Sequence, residues 1–101
     1  MKDVITTTSA DKDITRIYLN IYRDSPKNAL KQAEQIDRHF ENIGHFPGIC
    51  LPLTNKVDIE TDLKYSISVP YIIISRHYAK HIEVYRVFHC KENYISKLFE
   101  V

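Results

Sequence analysis

Cysteine, glycine and proline are scarce in this 101-residue sequence, and each shortage excludes a class of protein. Two cysteines, Cys50 and Cys90, are too few for a small domain held together by disulfide bonds, so we expect both to be reduced. Only 2 glycines and 4 prolines, with 44% hydrophobic residues, argue against a disordered or low-complexity chain. The sequence therefore predicts one ordered domain over residues 1–101.

Long hydrophobic runs are also missing. The longest uninterrupted apolar run is Ile72–Ile74, or Val69–Ile74 if Pro70 and Tyr71 are counted, and both are far shorter than the roughly 20 residues that a membrane helix needs. The first eight residues, MKDVITTT, contain no hydrophobic stretch typical of a signal peptide. We therefore expect a cytoplasmic protein that does not contact membranes.

The charge is balanced overall but uneven along the chain. Lys and Arg number 14 against 13 Asp and Glu, and this net charge of +1 excludes a histone-like polycation. Between residues 64 and 91, Glu83 is the only acid beside five basic residues, Lys64, Arg76, Lys80, Arg86 and Lys91. This segment predicts a basic face for acidic or phosphate-bearing partners, although a solvated strand edge would have the same composition.

The first half of the chain predicts a strand followed by a helical hairpin. Val4–Thr8 is β-branched and short, and Ser9 or Asp11 could cap the helix that follows. Ser25 is a good cap for a second helix that begins at Pro26, and Gly44 is placed as its left-handed C-terminal cap. The apolar stripes are Ile14, Ile17, Tyr18 and Ile21 in the first helix, and Ala29, Leu30, Ala33, Ile36, Phe40 and Ile43 in the second.

The second half predicts strands. Residues 45–62 form a long irregular loop, residues 63–69 alternate as a half-buried strand, and Tyr71–Ile74 indicates a strand covered on both faces. A turn at 78–81 leads to a strand at 82–89, and residues 90–101 have helical spacing. The fold class is therefore α+β: an N-terminal strand, an α-helical hairpin packed on a mainly antiparallel four-stranded sheet, and a short C-terminal helix.

Several segments carry a family resemblance by their order and spacing. They are Ala10-x-x-Asp13-Ile14-x-x-Ile17, Tyr22-x-Asp24-Ser25-Pro26-x-x-Ala29, Phe46-Pro47-Gly48, Leu63-Lys64, Val69–Arg76, Ile82–His89 and Tyr94-Ile95-x-x-Leu98-Phe99. Together they resemble the RelE/ParE superfamily of toxins from type II toxin–antitoxin systems, over nearly the whole chain. The resemblance implies the same α+β fold and an antitoxin partner that holds the toxin inactive.

The two branches of this superfamily imply different functions. RelE-like toxins are ribosome-dependent mRNA endoribonucleases, and the resemblance would give Lys64, Arg76, Arg86, His89 and Lys91 the catalytic roles. The sequence departs from that branch, because Ile72 stands where an Arg is common and Glu92 would repel a phosphate. ParE-like toxins bind DNA gyrase and block replication, without a catalytic residue or a cofactor. We favour the ParE-like branch, and an inactive binding module of the same fold is a third possibility.

The expected partner-binding residues lie on the first helix, the strands and the C-terminal segment. They are Arg16, Arg23, Lys64, Arg76, Arg86, Lys91, Tyr94 and Phe99. The partners would be the antitoxin and gyrase, or the ribosome and mRNA in the alternative, with no sequence-specific DNA binding. Arg86 could instead be buried against a carboxylate, and His89 could be bonded to the backbone at a strand end. His77 and His81 fall at a turn, so we expect no metal site.

Overall fold

The computed structural model describes residues 1–99, and within them an α+β fold follows the predicted order of elements. The strands are β1 Asp3–Thr6, β2 Leu51–Pro52, β3 Lys64–Ser68, β4 Tyr71–His77 and β5 His81–His89. The helices are α1 Thr8–Tyr22, α2 Pro26–His45 and α3 Tyr94–Phe99, with short 3₁₀ turns at Pro47–Ile49 and Leu53–Asn55. Residues 100–101, which the sequence assigned to the C-terminal helix, lie outside the described residues.

The sheet has five strands in the order β1-β5-β4-β3-β2. β1 runs parallel to β5, and the other neighbours are antiparallel, which confirms the mainly antiparallel prediction. The prediction of four strands was one short, because Leu51 and Pro52 pair with Tyr65 and Lys64 inside the segment taken as a loop. A two-residue strand that contains a proline has no alternation for sequence analysis to detect.

The N-terminal cap of α2 could be read from the sequence, whereas that of α1 depends on how the preceding strand pairs in the sheet. Ser25 caps α2 by accepting a hydrogen bond from the Asn28 N–H at 3.2 Å, as predicted. The predicted caps of α1 were wrong, because the Thr7 hydroxyl accepts the Ala10 N–H at 3.0 Å. The Thr7 N–H donates to the Val84 carbonyl, so Thr7 ends the pairing with β5 and begins the helix at the same position.

Gly44 is not a left-handed cap. α2 continues through it to His45, and no glycine among residues 1–99 has a positive φ. A Cβ at Gly44 would lie 2.9 Å from the Lys2 carbonyl oxygen and 3.2 Å from a Val4 methyl. The glycine therefore lets α2 approach the start of β1 closely. Leu30 also departs from the predicted stripe, since it is 56% exposed.

Both faces of the sheet are covered, which confirms the prediction for Tyr71–Ile74. The helical hairpin packs on one face, which we call the helix side, over a core that includes Ile36, Ile43, Ile73 and Val84. The loop residues Leu53, Val57 and Leu63, together with α3, cover the opposite face, which we call the outer side. The C-terminal segment therefore lies against Ile72, Ile74 and Phe88 of the sheet.

Candidate partner-binding site

A buried carboxylate closes the open edge of β5. β1 pairs with β5 only as far as Val84, so the N–H of Val87 has no strand beside it. Asp13 of α1 supplies the missing acceptor, and its Oδ2 receives the Val87 N–H at 3.0 Å. The residue is only 1% exposed, so its charge needs further partners in the protein.

Two arginines provide those partners. Arg86 donates from Nε to Asp13 Oδ2 at 2.8 Å and from Nη2 to Oδ1 at 3.0 Å, a bidentate pair. Arg16, one turn along α1 and half exposed, adds a contact of 3.2 Å to Oδ1. The bond to Asp13 raises the pKa of the Arg86 guanidinium above its usual value. Of the two interpretations drawn from the sequence, the structure matches the arginine paired with a carboxylate.

A bulge in β5 accompanies this arrangement. Val84 pairs with Ser75 and Arg86 with Ile74, so Tyr85 is the extra residue on its strand. A bulge changes the direction of the side chains around it. The Arg86 guanidinium lies 4.5 Å from the ring centroid of Phe88, which places it at the strand edge beside an aromatic face.

Glu92 brings a second carboxylate to the same end of β5. It accepts the His89 N–H at 2.6 Å and the Lys97 ammonium at 2.7 Å. Burial opposes its ionisation, but the hydrogen bonds from Lys97 and His89 outweigh it and lower the pKa of the Glu92 carboxyl. Its charge also acts on Arg16 and Arg86. We define the charge cluster as Asp13, Glu92, Arg16, Arg86 and Lys97.

The remaining predicted cations lie outside the charge cluster and apart from one another. Lys64 pairs with Ser75 and lies two residues before Ser66, which contacts α2, so its side chain is on the helix side of the sheet. Arg76 pairs with the exposed Asp62 at 3.2 Å and lies 5.7 Å from the Tyr85 ring centroid. Lys91 is exposed beyond the end of β5.

His89 and the aromatic residues of α3 have partners inside the protein. The Lys91 N–H donates to His89 Nδ1 at 3.1 Å, which is the strand-end arrangement that the sequence offered as the alternative to catalysis. Tyr94 stacks on Phe88 with 6.4 Å between ring centroids, and Phe99 packs on the same outer-side core. These two residues support the sheet face, and neither is more than partly exposed.

The outward face of α1 carries the exposed part of the predicted site. Arg16 and Arg23 line a groove of about 430 Å³ together with Leu19, whose side chain is 51% exposed. The other residues that line the groove are polar or charged: Thr8, Asp11, Lys12, Thr15 and Asn20. An apolar side chain between two arginines suits a protein partner with acidic and apolar side chains.

Sequence reasoning missed Asp13 and Lys97 as members of the charge cluster. A signal for Asp13 was present, because it stands between Ala10 and Ile14 on the apolar stripe of α1. An acid on a buried stripe requires a cation or several donors. No comparable signal marked Lys97, since its role depends on how α3 packs against the sheet.

Within residues 1–99, no group of three or more His, Cys, Asp or Glu side chains is arranged to hold a metal ion. None of the helices described over the same range combines the length and apolar character needed to cross a membrane.

The sequence matches a family described as the ParE toxin of the type II toxin–antitoxin system parDE, over residues 4–94. The chain belongs to the ParE toxin family. A solved structure titled "Chromosomal ParDE TA system from P. aeruginosa" has a TM-score of 0.71 with this ParE-family chain at 18% identity, and covers 88% of this chain and 96% of its own. That likeness shows the ParE fold alone. A comparison with curated proteins found no match.

Proposed function

We propose that this ParE-family toxin acts in the cytoplasm by binding DNA gyrase and blocking replication, and that a cognate antitoxin neutralises it. The observation that carries the proposal is that every cation of the charge cluster is paired with a carboxylate. Arg86 and Arg16 are bonded to Asp13, and Lys97 is bonded to Glu92. The surface is therefore better suited to protein recognition than to phosphate chemistry.

The alternative, mRNA cleavage, makes demands that these residues meet poorly. Attack by a ribose 2′-hydroxyl needs a base, an acid and free cations around the charge that develops on the phosphorus. Lys64 lies on the helix side of the sheet, away from the charge cluster. Two carboxylates beside Arg86 would repel a phosphate, and His89 Nδ1 already accepts a backbone N–H.

Supercoiling by purified gyrase tests the proposal. The toxin is added to gyrase and relaxed plasmid, with and without the antitoxin encoded in the neighbouring open reading frame. We expect the toxin to inhibit supercoiling and the antitoxin to relieve the inhibition. Cleavage of mRNA in a translating extract, with no effect on gyrase, would favour the ribonuclease. Antitoxin binding with neither activity would favour an inactive binding module.

A pair of double variants tests whether the α1 groove is the contact surface. Arg16→Ala/Arg23→Ala removes both groove arginines, and we expect inhibition to need about tenfold more toxin, or more. Lys27→Ala/Lys31→Ala removes the same charge from exposed positions of α2 and is the matched control. Thermal melts confirm that both variants fold. Equal inhibition by the two variants would place the contact elsewhere.

A further inference from the structure

The turn between β4 and β5 lies at one end of the sheet, beside the starts of β1 and β3. Asp3 pairs with His81 and Lys64 pairs with Ser75, so the chain before β1 and the first residue of β3 come close to this turn. Neighbouring strands are about 4.8 Å apart, so this end of the sheet spans about 15 Å from β1 to β3. Three lysines that we call the lysine patch lie along it: Lys2, Lys64 and Lys80.

The lysine patch carries positive charge without ion-pair partners. None of the three ammonium groups pairs with a carboxylate within residues 1–99. Lys2 donates to the Tyr78 carbonyl at 2.9 Å, and Lys80 is exposed at the turn. Burial and the charges of Lys64 and Lys2 all lower the pKa of His77, and no carboxylate in the described part of the chain acts against them. The charge of the patch is therefore free to attract an anion.

The acids near this end of the sheet have other positions. Asp62 pairs with Arg76 at 3.2 Å. Asp3 and Glu83 alternate with core residues of the helix side, so both point to the outer side. Glu41 of α2 lines a groove with Asp3 that none of the three lysines lines. These carboxylates are therefore paired, or directed, away from the lysine patch.

The lysine patch suits a row of phosphates better than an acidic protein. Lysine is depleted at protein interfaces, whereas its compact ammonium binds phosphate as a point charge. A span of about 15 Å corresponds to about four phosphates along one strand of duplex DNA. The enzyme that we propose as the target works on duplex DNA, so phosphates would lie close to the bound toxin.

We propose that the lysine patch contacts the phosphate backbone of the duplex DNA that gyrase holds. The contact is independent of base sequence, because phosphates carry no sequence information. Three lysines alone bind DNA weakly, so the contact adds to the affinity of the toxin once gyrase has brought the DNA beside it. This inference rests on the proposed function in taking gyrase as the source of the DNA.

Titration of the toxin alone into a fluorescently labelled duplex tests the phosphate contact. For Lys64→Gln/Lys80→Gln we expect the affinity at low salt to fall at least about tenfold, and the slope of log affinity against log salt to fall by about two. Lys27→Gln/Lys31→Gln removes the same charge from exposed positions of α2 and is the matched control. Thermal melts show that both variants fold. Equal affinities for the two variants, or equally tight binding of the wild type to polyglutamate, would overturn the inference.

Binding to gyrase with and without a linear duplex tests where the contact is made. We expect the wild-type toxin to bind DNA-loaded gyrase at least about fivefold more tightly than free gyrase, and Lys64→Gln/Lys80→Gln to lose most of that ratio. Equal affinity of the wild type for both forms would overturn the inference and leave gyrase as the target. Absence of binding to either form would contradict the proposed function itself, and the titration of the toxin alone would still decide whether the patch binds DNA.

Discussion

Single residues with several partners set the strongest local constraints in this protein. Asp13 accepts two bonds from Arg86, one from Arg16 and one from the Val87 backbone, and so joins α1 to the far end of β5. A buried carboxylate with fewer donors would be costly, because removing one partner of a buried pair leaves an uncompensated charge. The bidentate geometry therefore makes Arg86 the critical partner and the half-exposed Arg16 a minor one.

The Arg86→Ala variant measures that difference. Removing the guanidinium leaves Asp13 buried with Arg16 and one backbone donor, so we expect the free energy of unfolding to fall by about 3 kcal/mol. Arg16→Ala is the control, and we expect a loss of at most about 1 kcal/mol, because the Arg16 side chain is half exposed and Arg86 still pairs with Asp13. Urea denaturation followed by circular dichroism gives both values. Equal losses for the two variants would show that the bidentate pair of Arg86 contributes no more to stability than the single contact of Arg16.

At the scale of elements, close backbone contact decides how α2 meets β1. The Lys2 N–H donates to the Gly44 carbonyl, and the Lys2 carbonyl oxygen lies only 2.9 Å from the position that a Cβ on Gly44 would take. Helix propensity favours alanine over glycine by about 1 kcal/mol inside a helix, but a contact of 2.9 Å with a backbone oxygen forces the two elements apart.

Gly44→Ala should therefore destabilise the protein in spite of its better helix propensity. We expect a net loss of about 1–2 kcal/mol, because overpacking exceeds the propensity gain. Gly48→Ala is the matched control, since a Cβ there would meet nothing within 4 Å. Thermal and urea melts of both variants provide the comparison. A Gly44→Ala variant as stable as wild type would mean that β1 moves freely away from α2.

The same elements show where sequence reasoning succeeds and where it fails. Apolar periodicity and the Ser25-Pro26 signal depend on neighbours in the chain, and they predicted both helices and strands β3 to β5. Gly44 was misread because its reason is Lys2, which is distant in sequence. Thr7 was missed as the cap of α1, because the pairing of β1 with β5 fixes where β1 ends. In the candidate site, the sequence supplied Arg16 and Arg86 but not the packing that pairs them with Asp13.

At the scale of the whole molecule, a chain of polar side chains lies between the helical layer and the sheet. His39 of α2 contacts Ser66 at 2.8 Å, and His77 contacts Ser75 at 3.1 Å. Burial raises the pKa of the nearby Cys50 thiol, and the side chains of Ser66 and Ser75 act against that rise. Burial lowers the pKa of His39, and burial followed by the charges of Lys64 and Lys2 lowers that of His77.

Because of these two histidines, we expect the free energy of unfolding to fall on mild acidification. Their ordinary pKa is 6.5, so in the unfolded chain they take up protons as the pH falls through that value, while in the folded protein they resist protonation. The unfolded state then binds more protons, and the free energy of unfolding falls from neutral pH towards the lower pKa of the folded state. Glu92, with a carboxyl pKa held below 4.5, acts only in more acidic solution.

Urea denaturation across this pH range, in wild type and in two variants, checks the assignment. His39→Gln/His77→Gln keeps polar side chains that can bond to Ser66 and Ser75 but cannot titrate, so we expect its stability to change much less with pH. His45→Gln removes an exposed histidine and should keep the wild-type slope. If the double variant kept the full pH dependence, the buried polar chain could not be its source. If His45→Gln removed the pH dependence instead, its source would be a surface histidine and not the buried polar side chains.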